Sequence, residues 1–229
     1  MIAEIPITGL VIAFVPALIV IGIMFYWHSA AKTAIYATAR MLVQLLLIGY
    51  VLVFIFESDN WFAIAGVLTV MLLASSWIAT RTLDNRDKRS FLQAMAAISI
   101  GGLLTLGLVT QFVLGVEPWF SPRHTVPLAG MIFAASMNAV SLAADRYQAE
   151  IGRDVSYLEA RRIALQTALI PIINSLFAVG LVALPGMMTG QILSGVSPLI
   201  AAQYQIMVMT MLFGASGISA ACYLTLQRH

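Results

Sequence analysis

Few residues in this chain could do covalent or acid–base chemistry, and their placement argues against most of it. There are three histidines (His28, His124 and His229), one cysteine (Cys222) and ten Asp or Glu residues. Gly214-Ala215-Ser216-Gly217 matches the GxSG of rhomboid proteases. A serine nucleophile needs a base within hydrogen-bond reach. No histidine falls inside any long apolar run, so these small residues suit close helix packing better. Asp145-Arg146-Tyr147 matches the DRY of seven-helix receptors but follows the fifth apolar run, not the third. Neither Lys32 nor Lys88 lies where a retinal-binding lysine would. No H-E-x-x-H and no G-x-x-x-x-G-K-[ST] occurs, so the chain has neither a zinc-protease helix nor a P-loop of its own. One cysteine excludes an internal disulfide and any multi-cysteine metal site.

Two other residue types could bind a ligand. The apolar runs contain neutral polar groups, among them Gln44, Ser75, Ser76, Asn138, Ser141, Gln166, Asn174, Ser175, Gln203 and Gln205. In lipid such groups need partners, so most should face other helices. Five of the twelve methionines, Met187, Met188, Met207, Met209 and Met211, cluster late in the chain. Thioethers bind soft metals such as Cu(I), but they also fill irregular gaps between helices. Met207 and Met211 share a helix face and Met209 points away, so the cluster is not a clean ligand stripe. No metal site is assigned from the sequence.

The elements that must hold these residues follow from composition. Of 229 residues 61% are hydrophobic and 10% charged. Soluble domains carry about 25% charge. Disorder, nucleic-acid binding and an ordinary soluble enzyme are all poor readings. Seven apolar runs are long enough to span a bilayer: 7–27, 33–56, 61–80, 91–116, 128–144, 163–184 and 200–226. None alternates as a membrane strand does, which predicts an all-α polytopic bundle of seven transmembrane helices. The fifth run is the shortest, and residues of the following connection could extend it. The N-terminus has no basic region and its apolar run is too long for a signal-peptide core, so it reads as a retained helix.

Charge sorts by connection. Lys32 and Arg40; Arg81, Arg86, Lys88 and Arg89; Arg146, Arg153, Arg161 and Arg162; and Arg228 fall on one side, leaving only Arg123 on the other. Glu57, Asp59 and Glu117 also lie on the Arg123 side. The positive-inside rule then puts the N-terminus outside and the C-terminus in the cytoplasm. No Asp or Glu lies inside a run, which weighs against an intramembrane aspartyl protease or a carboxylate-based proton carrier. Arg40 sits about two turns into the second run with Gln44 four residues on, on the same face. Either Arg40 snorkels to the interface, or the two form a polar pair facing the bundle interior.

Two connections stand out. Residues 145–162 are the longest polar stretch. There Tyr147, Ile151, Val155 and Leu158 fall on one helical stripe, and Ser156 with Glu159 reads as a capping box opening a new helix. The stripe would either dock into a cytosolic partner or lie on headgroups. Residues 184–198, LPGMMTGQILSGVSP, hold three glycines and two prolines but no charge. They look too apolar for a free loop and too broken for a regular helix, so they read as a re-entrant gate (Pro185, Gly186, Met187, Met188, Gly190, Gln191) or a short interfacial loop. Pro171, one turn before Asn174 and Ser175, should kink the sixth helix.

Several segments resemble one family. ALIPIINS at 168–175, LVALPGMMTGQILSG at 181–195 and YQIMVMTML at 204–212 closely resemble FetB-type permeases, membrane subunits of a small ABC transporter group that includes plant aluminium-sensitivity permeases. ARMLVQLLLIGYVL at 39–52, PLAGMIFAASMNAVSLA at 127–143 and ACYLT at 221–225 fit in the same order. The 145–162 segment looks shorter than in many relatives, and no clear Leu-Gly-Ala signature stands around Gly152. The resemblance implies a multi-pass permease in a bacterial plasma membrane, a single domain over 1–229 and two copies paired with two cytosolic ABC ATPases. ATP and Mg2+ would sit in that partner, with no cofactor, nucleic acid or catalytic residue here. Relatives suggest export of iron or another metal ion; a plant member suggests a nucleotide sugar. A stand-alone channel or carrier, or a seven-helix sensor, remains the rival class. On the permease reading, Ile151, Val155, Tyr157, Leu158, Glu159, Arg161 and Arg162, with residues 81–90, would couple to the ATPase. The path would run by Arg40, Gln44, Asn138 and Asn174.

Overall fold

The computed structural model describes residues 6–56, 60–83 and 87–228. The expected charges Glu57, Asp59 and Arg86, and His229, lie outside them. The described structure is helical, apart from one bridge between Val179 and Ala183. In order come α1 (Ile7–Ala13), α2 (Val15–Tyr26), α3 (Ala31–Phe56), α4 (Trp61–Ala79), α5 (Lys88–Gly107), α6 (Pro122–Ile151), α7 (Tyr157–Ala178), α8 (Gly186–Leu193) and α9 (Pro198–Leu226). Six stretches among the described residues are long and apolar enough to cross a membrane: 7–26, 31–56, 61–82, 88–113, 122–151 and 198–226. This is a polytopic helical membrane bundle. The fifth expected run is indeed extended by its neighbours, into the 30 residues of α6. The seventh candidate, α7, is not among the six; Glu159, Arg161 and Arg162 occupy its first turns.

Contacts divide the chain into two compact units, Met1–Glu57 and Ser58–His229. In the first, α1 and α2 together make one span, interrupted at Phe14. Pro16 explains the break, since it lacks the N–H that would bond the Ile12 carbonyl. α3 buries only Ala31 and Ile55.

The second unit holds the core, where α5, α6 and α9 pack on small residues. Ala94, Ala97, Ala129, Ala143, Ala164, Ala215 and Ala220 are fully or nearly fully buried, and Phe133 and Ile132 fill the space between them. Lipid gives apolar side chains no drive to associate, so close approach of backbones has to supply the attraction. Gly101 shows how close. A Cβ there would lie 2.8 Å from the Ser219 backbone N and 3.1 Å from the Ala215 carbonyl. Gly102 likewise faces the Phe133 ring, 2.8 Å from where its Cβ would stand. Asp87 starts α5, its Oδ1 accepting from Ser90 N at 2.8 Å. Hydrogen bonding with Ser90, through hydroxyl and amide, holds the Asp87 carboxyl below the usual range. α5 continues as a π-helical turn, Leu108–Val113.

Gly101→Ala should therefore push α5 away from α9 and destabilise the bundle by about 1–3 kcal/mol. Gly107→Ala, with open space at its Cβ, should not. Thermal unfolding in detergent checks this; equal midpoints for the two variants would mean that α5 and α9 separate freely.

Candidate functional site

The elbow between α6 and α7 is built from its ends. α6 closes at Gly152, and Asp154 turns the chain with φ 60°, a left-handed conformation that aspartate tolerates better than most residues. Ser156 is the N-cap residue of α7, as expected, but its side chain makes no capping bond. Nor does Glu159 complete the box from its side; its carboxylate is held by Arg162, which donates to it through Nε at 3.1 Å and Nη2 at 2.7 Å. That pairing holds the Glu159 carboxyl below its ordinary range. The expected stripe also does not lie on one helix. Tyr147 and Ile151 are on α6, Leu158 is on α7, and Val155 is in the turn between them. Ile151 and Leu158 are nevertheless both exposed, Leu158 by 66%.

The elbow is tied to the end of α9. A helix leaves its last four carbonyls without internal partners. Tyr157 donates its hydroxyl to Leu224 O at 3.1 Å, and Tyr147 donates to Gln227 O at 3.3 Å. From α5, Gln93 Nε2 donates to Leu226 O at 2.9 Å and Gln93 Oε1 accepts from Gln227 Nε2 at 2.8 Å. The Tyr147 and Tyr157 rings meet edge to face at 6.3 Å, and the Arg161 guanidinium lies 5.5 Å over the Tyr157 ring. Glu150, only 4% exposed, pairs with Arg146 at 2.6 Å and Arg153 at 3.6 Å. Gln93 and Gln227 were not singled out by the sequence, because what gives them meaning is contact between segments far apart in the chain; the Glu150 pairs are local in spacing, and what the sequence did not show is its burial.

The other expected site residues separate. In the first unit, Gln44 Oε1, with the amide turned to face the guanidinium, accepts from Arg40 Nε at 3.1 Å and Nη2 at 3.3 Å. The pair exists, but Gln44 is exposed and Arg40 half-buried. In the second unit, Asn138 lines a cleft of about 180 Å³ with Pro171, Ser175 and Ser216; Asn174 does not. Both asparagines are exposed on the single chain, Asn138 within that cleft between helices, whereas Ser75, Ser76 and Gln205 are buried, as expected for most such groups. α7 runs on through Pro171, and Ser175 Oγ donates to the Pro171 carbonyl at 2.9 Å. In the GxSG-like stretch, Ala215 and Ser216 are the packed residues. Gly214 and Gly217 face open space.

Residues 184–198 correct their reading as too broken for a helix. Gly186–Leu193 is regular α8. Its glycines and prolines sit mostly at boundaries: Pro185 at the N-cap, Gly186 first, Pro198 first in α9. Gly195, φ 91°, ends α8 in a Schellman turn, Val196 N donating to Gln191 O and Gly195 N to Ile192 O, both at 3.0 Å. α8 packs on α9 and divides its methionines. Met187, with Met131, Met207, His124 and Arg123, lines a cleft of about 300 Å³. Met188, with Met209, Gln205 and Thr210, lines another of about 310 Å³. Among the described residues no three His, Cys, Asp or Glu side chains cluster as a metal site would require.

Fold and sites together define a multi-pass helical membrane protein whose charged features gather at helix ends. The chain belongs to the uncharacterised protein family UPF0014, whose model matches residues 7–229. It is 32% identical to the UPF0014 membrane protein slr1647 of Synechocystis sp., over 86% of this chain and 82% of that protein. It is 31% identical to the probable iron export permease protein FetB of Escherichia coli, over 86% of this chain and 81% of the relative. Protein ALUMINUM SENSITIVE 3 of Arabidopsis thaliana is 30% identical over 81% of this chain and 72% of its own length. The FetB-type resemblance read from the sequence is thus borne out. No solved structure matches the chain.

Removing both elbow hydroxyls (Tyr147→Phe with Tyr157→Phe) should take away the side-chain donors to Leu224 O and Gln227 O at the end of α9, at about 0.5–1.5 kcal/mol per bond. Amide hydrogen exchange over residues 220–228 should rise while exchange in α4 stays constant; unchanged exchange would show that other groups hold this end of α9.

Proposed function

We propose that this chain is the permease subunit of an ABC transporter, exporting iron or another metal ion from a bacterial cell and driven by a separate cytosolic ATPase that holds the ATP and Mg2+. The observation that carries this reading is the elbow. Exposed Ile151 and Leu158 stand beside Arg161, Arg162 and Glu159, on a turn tied by two tyrosines to α9. Solvated apolar side chains flanked by charge, on a mechanically tied turn, suit a docking element that passes movement onward. The relative named an iron export permease supports the same class.

Topology fits. With α7 as a seventh span, the N-terminus lies outside and the C-terminus inside. Within the second unit, Arg81, Lys88, Arg89, Arg146, Arg153, Arg161, Arg162 and Arg228 belong to one end of the bundle, linked by the Gln93, Tyr147 and Tyr157 bonds, and Arg123 to the other. That is the asymmetry of a cytoplasmic face. Gln44 is exposed but paired with Arg40, while Asn138 and Asn174 are amides exposed on one chain, where lipid would strand them. A second copy, or a water-lined path between copies, would cover them; Arg40 would sit on that path. α8, with Pro185, Gly186, Met187, Met188, Gly190 and Gln191, would close its outer end.

Arg161→Glu with Arg162→Glu should weaken co-purification with the proposed ATPase partner, sought as a neighbouring reading frame that carries G-x-x-x-x-G-K-[ST], by roughly tenfold, as loss of close interfacial charge pairs does. Unchanged binding would remove both residues from the interface. Gln44→Leu or Asn174→Leu should impair ATP-dependent metal efflux from vesicles at normal expression. Transport by the chain alone in liposomes without ATP would overturn the ABC reading.

A further inference from the structure

We infer that Met188, Met209 and Gln205 form a binding site for a soft monovalent cation of the Cu(I) or Ag(I) class. Three observations in the cleft between α7, α8 and α9 carry this. Gln205 is only 6% exposed, and its Oε1 is buried without a hydrogen-bond partner. Stranding an amide oxygen in a hydrocarbon setting is costly, so the group calls for a donor or a cation. The rest of the wall supplies neither. It consists of Leu176, Val179, Gly180, Ala202, Ile206, the two methionines and Thr210. Thr210 spends its proton on Ile206 O at 3.0 Å or Met207 O at 2.9 Å, so toward the cleft it offers only lone pairs. The two thioethers, of Met188 and Met209, come from different helices to the same cleft. Apart from the Gln205 amide nitrogen, the polar atoms of the cleft are acceptors, and two of them are thioethers.

The charge and softness of the ligand follow. No acid lines the cleft, so a hard divalent ion would be left with its charge uncompensated in a low-dielectric wall. A soft monovalent ion has half that charge, and thioethers suit it. The neighbouring cleft is the contrast: Met131, Met187, Met207 and His124 line it, but so does the Arg123 guanidinium, which repels a cation. α8 places Met187 in one cleft and Met188 in the other, so the site takes one methionine of each adjacent or near-adjacent pair. As a metal site this stands without the permease reading; as the place where cargo is held it rests on that reading.

The test is anaerobic Cu(I) competition against bicinchoninate with the purified full chain in detergent. The affinity tag is removed and Cys222→Ala is the background, so that the single thiol does not compete. About one tightly held Cu(I) per chain is expected. Met188→Leu with Met209→Leu keeps side-chain volume and should weaken binding by at least roughly tenfold. Gln205→Leu should weaken it less, and Met207→Leu in the other cleft should leave it unchanged. No Cu(I) binding by the parent, equal binding by the Met188→Leu/Met209→Leu variant, or displacement of Cu(I) by equimolar Fe(II) would overturn the site. No ATPase is present, so failure here leaves the permease reading standing. Cu(I) binding in a chain that recruits no ATPase would leave the site standing and remove the permease reading.

Discussion

A polar group inside a bilayer has no water to turn to, and most of this structure is arranged around that constraint. Hydroxyl side chains meet it locally. Thr38, Thr69, Thr105, Thr110 and Thr167 each donate to the carbonyl four residues back, at 2.7–3.0 Å. An amide side chain has both a donor and an acceptor and cannot satisfy both this way. The chain therefore deals with its amides individually. Gln93 and Gln227 pair with each other at the helix ends, Gln44 pairs with Arg40, and Asn138 and Asn174 face outward. Gln205, 6% exposed, and the less buried Gln191 each keep a buried amide oxygen without a partner. The same constraint that silences the serines and threonines makes those residues conspicuous.

Packing follows from the same medium. Lipid removes the hydrophobic drive between helices, so the core relies on alanines and glycines that bring backbones together. Gly101 lies against Ser219 and Ala215, and Ser136 Oγ donates to Ala215 O at 3.4 Å. Residues 215–219 are therefore where α9 is pinned to both α5 and α6. The large apolar side chains mostly point outward, as Phe112 at 87% and Leu181 at 90% exposure do. In a soluble protein this would be an aggregation hazard; in lipid it is the solvent-facing surface.

Much of this was legible in the sequence, because length, apolarity and charge placement are local properties. The run at 128–144 with its polar flank gave α6, Ser156 marked the start of α7, and the lone Arg123 marked the opposite end. What was hidden depends on contacts across the chain. Glu159 was free to cap α7 by sequence spacing, but Arg162 is a stronger partner for a carboxylate. The helix at 186–193 was masked because glycine and proline read as breakers until they are seen at boundary positions, where they are favoured. Tyr157 and Leu224 lie 67 residues apart, and nothing in the local pattern of either announces the bond. The methionines showed their opposed faces, but only the packing of α8 shows which cleft each one enters.

These contacts also make α9 a mechanical link. It is one unbroken helix from Pro198 to Leu226. Leu224, near its end, is held by the elbow, and Gln205, near its start, lines the cleft that holds Met188 and Met209. At about 1.5 Å per residue those positions are roughly 29 Å apart along one rigid rod. Between them lies the small-residue crossing at Ala215, Ser216 and Ser219. A push at Tyr147 or Tyr157 acts on carbonyls at the end of α9, at Leu224 and the C-cap residue Gln227. The tightly packed crossing resists translation more than tilting, since no side chain there can compress to make room. On the proposed permease reading, a load at the elbow would tilt α9 about that crossing and change the width of the clefts beside Met188 and Met187, coupling the proposed docking end to the proposed binding end.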